Sequence, residues 1–330
     1  MNRKVSVAPM MDCTDRHERY FLRLISKNVL LYTEMIVSEA IDRGDKKKLL
    51  SFNLDEKPVA LQLGGSSPKL LGEASKIGEE FGYDEINLNL GCPSKKVQNN
   101  KFGACLIKEP MLVADCLNEM QTKTKLPVTV KTRIGYDDVD DYENLFNFIS
   151  LLKSTGVKTF IIHARKAMLG KFTPKQNLNI PPLKYEMVYK LKEDFKDLNI
   201  IINGGITSPE QIKDHIKKVD GVMIGRSIYH SPYLLADIEK EIFNNEDVFS
   251  RQEVVEKLVI YLKDEIKKGT RVNQVMRHTL GLFHGQTGSN FWKRYLSENM
   301  CVRDADIQKV DHILDKVKLN HVTQPTGQID

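Results

Sequence analysis

Cys92 stands between Gly91 and Pro93 in the run Asn87-Leu88-Asn89-Leu90-Gly91-Cys92-Pro93-Ser94. Gly and Pro on either side hold a residue out of regular structure. A thiol with a pKa near ~8.5 can donate a proton at neutral pH, or attack as a thiolate when a cation lowers that value. The commoner fate of a cysteine is inert burial, and Cys105 and Cys116, each within an apolar helical pattern, are read that way. Cys92 differs because Asn87, Asn89 and Cys92 leave one strand end together. Lys131 and His163 close two later β-branched runs. A lysine so placed offers fixed positive charge to an electron-rich ring or enolate, and a histidine offers a donor or a proton near neutral pH. Each alone is as well read as a solvated lysine and a backbone-satisfied histidine, so their common location is the argument. Asn203-Gly204-Gly205 and Gly225-Arg226 end the last two runs. Glycine lets backbone amides approach an anion, and arginine adds a bidentate clamp. Paired glycines alone make tight turns; both sites together, with an arginine, point to a phosphate group.

Such residues act together only if the chain brings strand ends to one place. Candidate strands lie at 5–8, 30–33, 59–63, 85–90, 128–131, 160–163, 200–203 and 221–224, the second being the least clear. Helical patterns separate several of them. Ser67-Pro68 and Ser208-Pro209 carry a capping serine followed by proline at the first helical position, Gly82 closes the first of these helices, and residues 142–156 show an apolar stripe through Leu145, Phe146, Ile149 and Leu152. Strands alternating with helices predict βαβ units and a parallel sheet. Eight units in about 230 residues fit an α/β fold of the (β/α)8 TIM barrel class, ~250 residues long, better than a doubly wound sheet of about six strands. In a barrel the chemistry sits where the strands end, because the βα loops converge there. After about Leu235 the strand signal stops. The pattern Ser250-Arg251-Gln252-Glu253 predicts a capping box opening a helix that runs to Gly269, and 272–283 and 307–319 read as helical too. The expected domains are therefore a barrel over 1–236 and a small all-α domain over 237–320, with a polar tail at 321–330 expected to fray.

Composition sets limits on partners and location. With 330 residues, 41% hydrophobic and 28% charged, the chain has material for a real core. Its net charge of +5 is too small to diagnose a polyanion partner, but residues 251–320 hold 13 Lys/Arg against 9 Asp/Glu, so a basic surface is expected there. Five cysteines, Cys13, Cys92, Cys105, Cys116 and Cys301, with no C-x-x-C pair suggest neither a disulfide framework nor a zinc ribbon, and no metal is expected. The amino terminus lacks the apolar core of a signal peptide and no run approaches the ~20 apolar residues of a membrane span, so a reducing cytoplasm and no membrane partner are expected.

The motifs resemble one family. Val7-Ala8-Pro9-Met10-Met11-Asp12, Ala60-Leu61-Gln62-Leu63-Gly64-Gly65, Ile86-Asn87-Leu88-Asn89-Leu90-Gly91-Cys92-Pro93-Ser94, Ile162-His163-Ala164-Arg165-Lys166 and Ile202-Asn203-Gly204-Gly205-Ile206 are similar to those of the tRNA-dihydrouridine synthases. Tyr32-Thr33-Glu34-Met35, Phe102-Gly103-Ala104-Cys105-Leu106 and Met276-Arg277-His278-Thr279-Leu280-Gly281-Leu282-Phe283 resemble the bacterial A-type branch, from whose pattern the chain departs at Thr132, where that pattern has His. The resemblance covers roughly residues 5 to 300. It implies a flavin barrel carrying FMN reduced by NADPH, followed by a helical tRNA-binding domain. By the same resemblance Ala8, Pro9 and Met10 line the flavin, Gln62 and Lys131 contact its rings, His163 lies beside it, and Asn203, Gly204, Gly205, Gly225 and Arg226 hold its phosphate. Asn89 binds the target uracil, and Cys92 gives the proton to C5 while the reduced flavin gives hydride to C6. The A-type branch implies uridines 20 and 20a of the D-loop. A uridine must leave its stack to reach a barrel mouth, so the protein must grip the RNA elsewhere. Arg165, Lys175, Arg271, Arg277, Lys293 and Arg294 are the candidate tRNA contacts, with Trp292 and Tyr295 as candidate stacking residues. Each basic residue taken alone is as readily an ordinary solvated charge. Two competing readings are a dihydroorotate-dehydrogenase-like flavin barrel acting on a free pyrimidine, and a tRNA-binding module with a dead barrel. The basic helical extension argues against the first, and the intact Asn89, Cys92, Lys131 and His163 set against the second.

Overall fold

Runs buried on both faces read as nearly continuous apolar segments, which is what parallel strands packed between a core and covering helices require. The computed structural model, which describes residues 1–300, turns these runs into strands. They are β1 (Val5–Val7), β2 (Leu31–Tyr32), β3 (Ile36–Val37), β4 (Val59–Gly64), β5 (Glu85–Leu90), β6 (Val128–Arg133), β7 (Thr159–His163), β8 (Asn199–Asn203) and β9 (Gly221–Ile224). They pair in the order β1-β9-β8-β7-β6-β5-β4-β2, with β3 beside β4, and every pairing is parallel. The circle closes where the Val7 N–H donates to the Leu30 carbonyl at 2.9 Å and the Leu30 N–H to that of Val5 at 3.2 Å. This is the expected (β/α)8 barrel. The segment that reads least clearly as a strand has two paired residues, and β3, for which no strand was expected, is an added two-residue pairing at the carboxyl end of β4.

One arc of the interior is apolar. Ala8, Leu30, Tyr32, Ala60, Ile161, Ile201 and Met223 form a single buried cluster, and burying each large side chain contributes about 1.5–3 kcal/mol relative to exposure. The other arc, from β4 through β6, carries buried Gln62, Glu85, Asn87, Asn89 and Thr129 instead. The covering helices start where their caps dictate: Ser67 accepts from the Leu70 N–H before helix Pro68–Glu80, Asp141 from Asn144 before Tyr142–Ser154, and Ser208 from Gln211 before Pro209–His215.

The chain divides into two compact units, one of Met1–Arg16 with Asn28–Gly225, the other of His17–Lys27 with the residues from Arg226 onward. The second unit takes in Arg226 and, from earlier in the chain, most of the helix Arg16–Ile25. Its described part is helical: Arg226–His230, Leu234–Phe243, Arg251–Lys267, Val272–Met276 and Ser289–Asn299. The Ser250/Glu253 capping box is present, with the Glu253 N–H 3.3 Å from Ser250 Oγ and the Ser250 N–H 2.7 Å from Glu253 Oε2. Residues 272–283 are a correction. The α-helix ends at Met276 and tightens into a 3-10 turn, Arg277–Gly281, where the Thr279 hydroxyl donates to the Met276 carbonyl at 2.8 Å. The helix expected at 307–319, the tail at 321–330 and Cys301 lie outside the described residues. No described helix is long and apolar enough to cross a membrane.

Candidate active site

The register places polar strand ends side by side: Asn89 pairs with Lys131 across β5 and β6, and His163 with Asn203 across β7 and β8. β5 runs out at Leu90 and the chain turns at once. Asn89 Oδ1 accepts the N–H groups of both Gly91 and Cys92 at 3.0 Å, an Asx turn that fixes the peptide carrying the thiol. Two further bonds hold the same loop. The Arg133 Nε–H donates to the Gly91 carbonyl at 2.8 Å, and the Ala104 N–H donates to the Cys92 carbonyl at 3.0 Å. The second requires glycine at 103, where φ is +73° and an added Cβ would lie 2.5 Å from Val97 Cγ1 and 2.7 Å from the Cys92 oxygen. Ser94 then accepts from the Val97 N–H and starts the short helix Lys95–Asn99. Cys92 is half-buried, as its candidacy requires.

Lys131 reaches from β6 to β8. Its Nζ donates to Asn203 Oδ1 at 3.0 Å, and Asn203 Nδ2 donates to the Met223 carbonyl at 2.8 Å. Burial, then the Arg133 charge, draw the Lys131 pKa from 10.5 down to about 7, while a thiolate at Cys92 would pull it up. Arg133 is itself held down to about 10 by burial and remains protonated. Arg133 thus holds the carbonyl of the residue before Cys92, and Lys131 stands in register with Asn89, whose side chain holds the Cys92 N–H. Gln62, on β4, gives one Nε2 hydrogen to Asn87 and accepts at Oε1 from Asn89 Nδ2, each at 2.8 Å. His163 is buried beside Gly204, where φ is +122° and a Cβ would fall 2.8 Å from His163 Cδ2. Gly205 is exposed with φ of +72°. Gly225 faces Met10 Sδ and Ala8, which a Cβ there would meet at 3.4 and 3.5 Å. Pro9 is half-buried between those two residues in sequence, and Arg226 follows Gly225 as the exposed first residue of its helix.

Hydrogen bonds and strand register thus gather Gln62, Asn89, Cys92, Lys131 and Asn203, and close packing gathers Ala8 with Met10 and Gly225. Among the tRNA candidates, Lys175 is exposed on helix Pro174–Asn179, and Arg165 spends part of its guanidinium on the Pro181 carbonyl of its own loop. Arg271 and Arg277 are exposed, the latter with Nε 3.3 Å from His278 Nε2, and Lys293 and Arg294 are exposed on helix Ser289–Asn299. Trp292 is a correction: it is 2% exposed and its indole N–H donates to the Thr279 carbonyl at 2.9 Å, so it packs the unit and is closed to stacking. Tyr295 is half-buried and stacks on Phe291. Cys116 is buried with its thiol pushed up to about 12, and Cys105 is half-buried in a 3-10 turn with its thiol donating to the Phe102 carbonyl. Thr132 points away from the side used by Lys131 and Arg133, its hydroxyl 3.5 Å from the Leu90 carbonyl, so this departure sits outside the barrel lumen. Sequence reasoning gave no role to Arg133. Its position two residues after Lys131, on the same side of the strand, was the available signal.

A family model described as "Dihydrouridine synthase" matches residues 6–318. The chain is 51% identical over 302 residues to a tRNA-dihydrouridine(20/20a) synthase of Synechocystis sp., covering 91% of this chain and 90% of that protein. It is 49% identical over 327 residues to the protein of that name from Shewanella oneidensis, covering 98% and 97%, and 51% identical over 313 residues to that of Escherichia coli K12, covering 94% and 90%. Among solved structures, a 2-naphthoyl-CoA reductase in complex with 2-naphthoyl-CoA superposes with a TM-score of 0.53 at 11% identity, over 74% of this chain and 50% of that one, a likeness of fold. With a family model spanning most of the chain and relatives near half identity along it, the chain belongs to the dihydrouridine synthase family.

Proposed function

We propose that the chain reduces the 5,6 double bond of uridine in tRNA to 5,6-dihydrouridine, at positions 20 and 20a of the D-loop, with FMN as resident cofactor and NADPH as reductant, in the cytoplasm. The observation that carries this reading is the meeting, at the carboxyl ends of β4, β5, β6 and β8, of a half-buried thiol, the basic side chains of Lys131 and Arg133, and amide donors on Gln62 and Asn89. The donor set suits a flavin. Gln62 and Lys131 offer N–H groups to ring carbonyls and nitrogens, Ala8, Pro9 and Met10 offer an apolar wall, and His163 stands at the Gly204 turn. Gly204, Gly205 and Gly225, with Asn203 and the next residue Arg226, offer amide and side-chain donors to a phosphate. Bound FMN supplies hydride, drawn from NADPH, for C6 of the uracil.

The chain's own residues do the rest. Asn89 turns an amide N–H toward a uracil carbonyl. Cys92 donates its thiol proton at C5, and the charges of Arg133 and Lys131 stabilise the sulfur anion left behind. With a pKa of about 7, Lys131 is half protonated at neutral pH and takes up its full charge when an anion settles beside it. Arg165, Lys175, Arg277, Lys293 and Arg294 meet phosphates of the tRNA backbone, with the helical unit the larger contributor. The test is direct. Purified protein should be yellow with FMN and, given NADPH, should convert uridine in unmodified tRNA while leaving free uridine nearly untouched; a colourless protein, or one that prefers the free pyrimidine, overturns the reading. Cys92→Ala should keep flavin and NADPH oxidation yet lose most product, and full product formation would remove Cys92 as the acid.

A further inference from the structure

A single line of hydrogen bonds runs along the polar arc of the barrel from the amino-terminal end of β5 to the Cys92 turn. Arg3 donates to Glu85 Oε2 through Nε at 2.9 Å and through its terminal nitrogen at 2.6 Å. Tyr32 OH and Thr129 Oγ1 each lie 2.7 Å from Glu85 Oε1. Thr129 Oγ1 lies 2.8 Å from Asn87 Nδ2, Asn87 Oδ1 2.8 Å from Gln62 Nε2, and Gln62 Oε1 2.8 Å from Asn89 Nδ2. Asn89 Oδ1 then receives the two backbone N–H groups of Gly91 and Cys92. All five side chains from Glu85 to Asn89 are at least nine-tenths buried.

The line has a direction, and both ends impose the same one. An ionised carboxylate only accepts, so Thr129 spends its single proton on Glu85 and can meet Asn87 only as an acceptor. Asn87 must therefore present Nδ2 to Thr129 and Oδ1 to Gln62, and the same logic turns Gln62 and then Asn89. At the far end two backbone N–H groups only donate, which again requires Asn89 Oδ1 there. A flip of any amide would set two donors or two acceptors against each other in a buried place, at a cost of about 1–3 kcal/mol per unmet group. One consequence reaches the mouth. With Oδ1 filled and one Nδ2 hydrogen given to Gln62, Asn89 has only an N–H left to offer, a donor that suits a carbonyl oxygen and opposes an exocyclic amino group.

We propose that Glu85 and Thr129 are positioning residues for the site: through this one-way line they fix Asn89 so that its carbonyl holds the Cys92 turn and its remaining N–H faces a substrate carbonyl. The catalytic half of this rests on the reading given above; the structural half does not. Thr129→Val removes the hydroxyl at nearly constant volume, and Thr129→Ser restores it. In purified protein, hydrogen exchange at the Gly91 and Cys92 amides, and alkylation of Cys92 by iodoacetamide followed by peptide mass spectrometry, report the turn without any assay of tRNA reduction. Thr129→Val is expected to speed exchange of both amides by about tenfold and to change the Cys92 alkylation rate several-fold, while Cys116 keeps its own rate and Thr129→Ser returns both readouts to wild type. Dihydrouridine formation should fall in kcat, and Thr129→Ser should restore it. Exchange and alkylation at wild-type values in Thr129→Val overturn the proposal. A changed turn in a protein that makes no dihydrouridine overturns only the reading of the reaction. Should Thr129→Val not fold, Asn87→Ala opens the same line one link nearer the turn, with the same expected and overturning results.

Discussion

Replacing Lys131 with methionine should stabilise the protein at neutral pH while removing the cation from the site. Lys131 Nζ has a neutral partner, Asn203 Oδ1 at 3.0 Å, and among the described residues no carboxylate forms an ion pair with it. Burial and the Arg133 charge lower its pKa from 10.5 to about 7. Across the window from about 7 to 10.5 the unfolded chain holds the proton and the folded chain has lost it, so stability rises with pH there. Below about 7 the full cost of charging a desolvated amine is present, and above 10.5 it is gone. At ~1.4 kcal/mol per unit, the shift corresponds to an upper limit of about 5 kcal/mol. Partial exposure of the side chain and loss of the ~1 kcal/mol bond to Asn203 reduce this to an expected gain of about 2–3 kcal/mol near pH 6.5, a Tm rise of roughly 3–7 °C. Near pH 10 the gain should shrink toward zero. Calorimetric unfolding of flavin-free wild type and Lys131→Met at pH 6.5, 8 and 10 measures the difference. A Tm difference that is independent of pH, or a variant less stable at pH 6.5, would refute a desolvated cation at this position.

Two further outcomes follow from single contacts. Gly103→Ala must keep φ near +73° with a methyl 2.5–2.7 Å from Val97 and the Cys92 carbonyl, so it should cost about 2–3 kcal/mol in denaturant unfolding and lower product formation, because relief of the clash moves the Cys92 loop. Lys293→Glu combined with Arg294→Glu reverses two exposed charges on a helix whose inner face, Trp292 and Leu296, is untouched. It should leave Tm within about 1 °C of wild type while raising KM for tRNA and flattening the salt dependence of binding, and an unchanged KM at low salt would take that helix out of the RNA interface.

The barrel was legible because its punctuation is local. A capping serine before proline marks a helix start wherever it occurs, and a β-branched run ending in Gly or a polar residue marks a strand end, so the residues facing the mouth could be named by position. What stayed hidden depends on partners distant in the chain. Trp292 beside Lys293 and Arg294 reads as an exposed stacking group. Only its helical register with Leu296, four residues on, and the Thr279 carbonyl that receives its N–H reveal a core residue. Residues 17–27 lie in sequence between β1 and β2, yet they cluster with the second unit, where the Ser26 hydroxyl donates to Glu239 and His17 Nδ1 lies 2.7 Å from the Tyr261 hydroxyl. A two-residue strand such as β3 leaves no periodicity to read.

The alternation Glu85-x-Asn87-x-Asn89 was visible all along, and its meaning turns on a choice of energies. In a strand buried on both faces, three polar residues at period two would each cost a few kcal/mol if unpaired, enough together to consume much of a domain's net stability. Such a pattern survives in a barrel core only if neighbouring strands supply partners at the same period, and here β4 supplies Gln62, β6 supplies Thr129 and β2 supplies Tyr32. An apolar layer like the Ala60, Ile161, Ile201 and Met223 arc would have closed the barrel with less to satisfy. The polar arc adds orientation: each amide has one permitted rotamer, and the last of them holds the peptide of the thiol. Catalysis by a group on a turn requires that the turn be held to within about 0.5 Å, and a line of mutually exclusive donors and acceptors, anchored by a carboxylate paired with Arg3, holds it in a way that interchangeable apolar contacts do not.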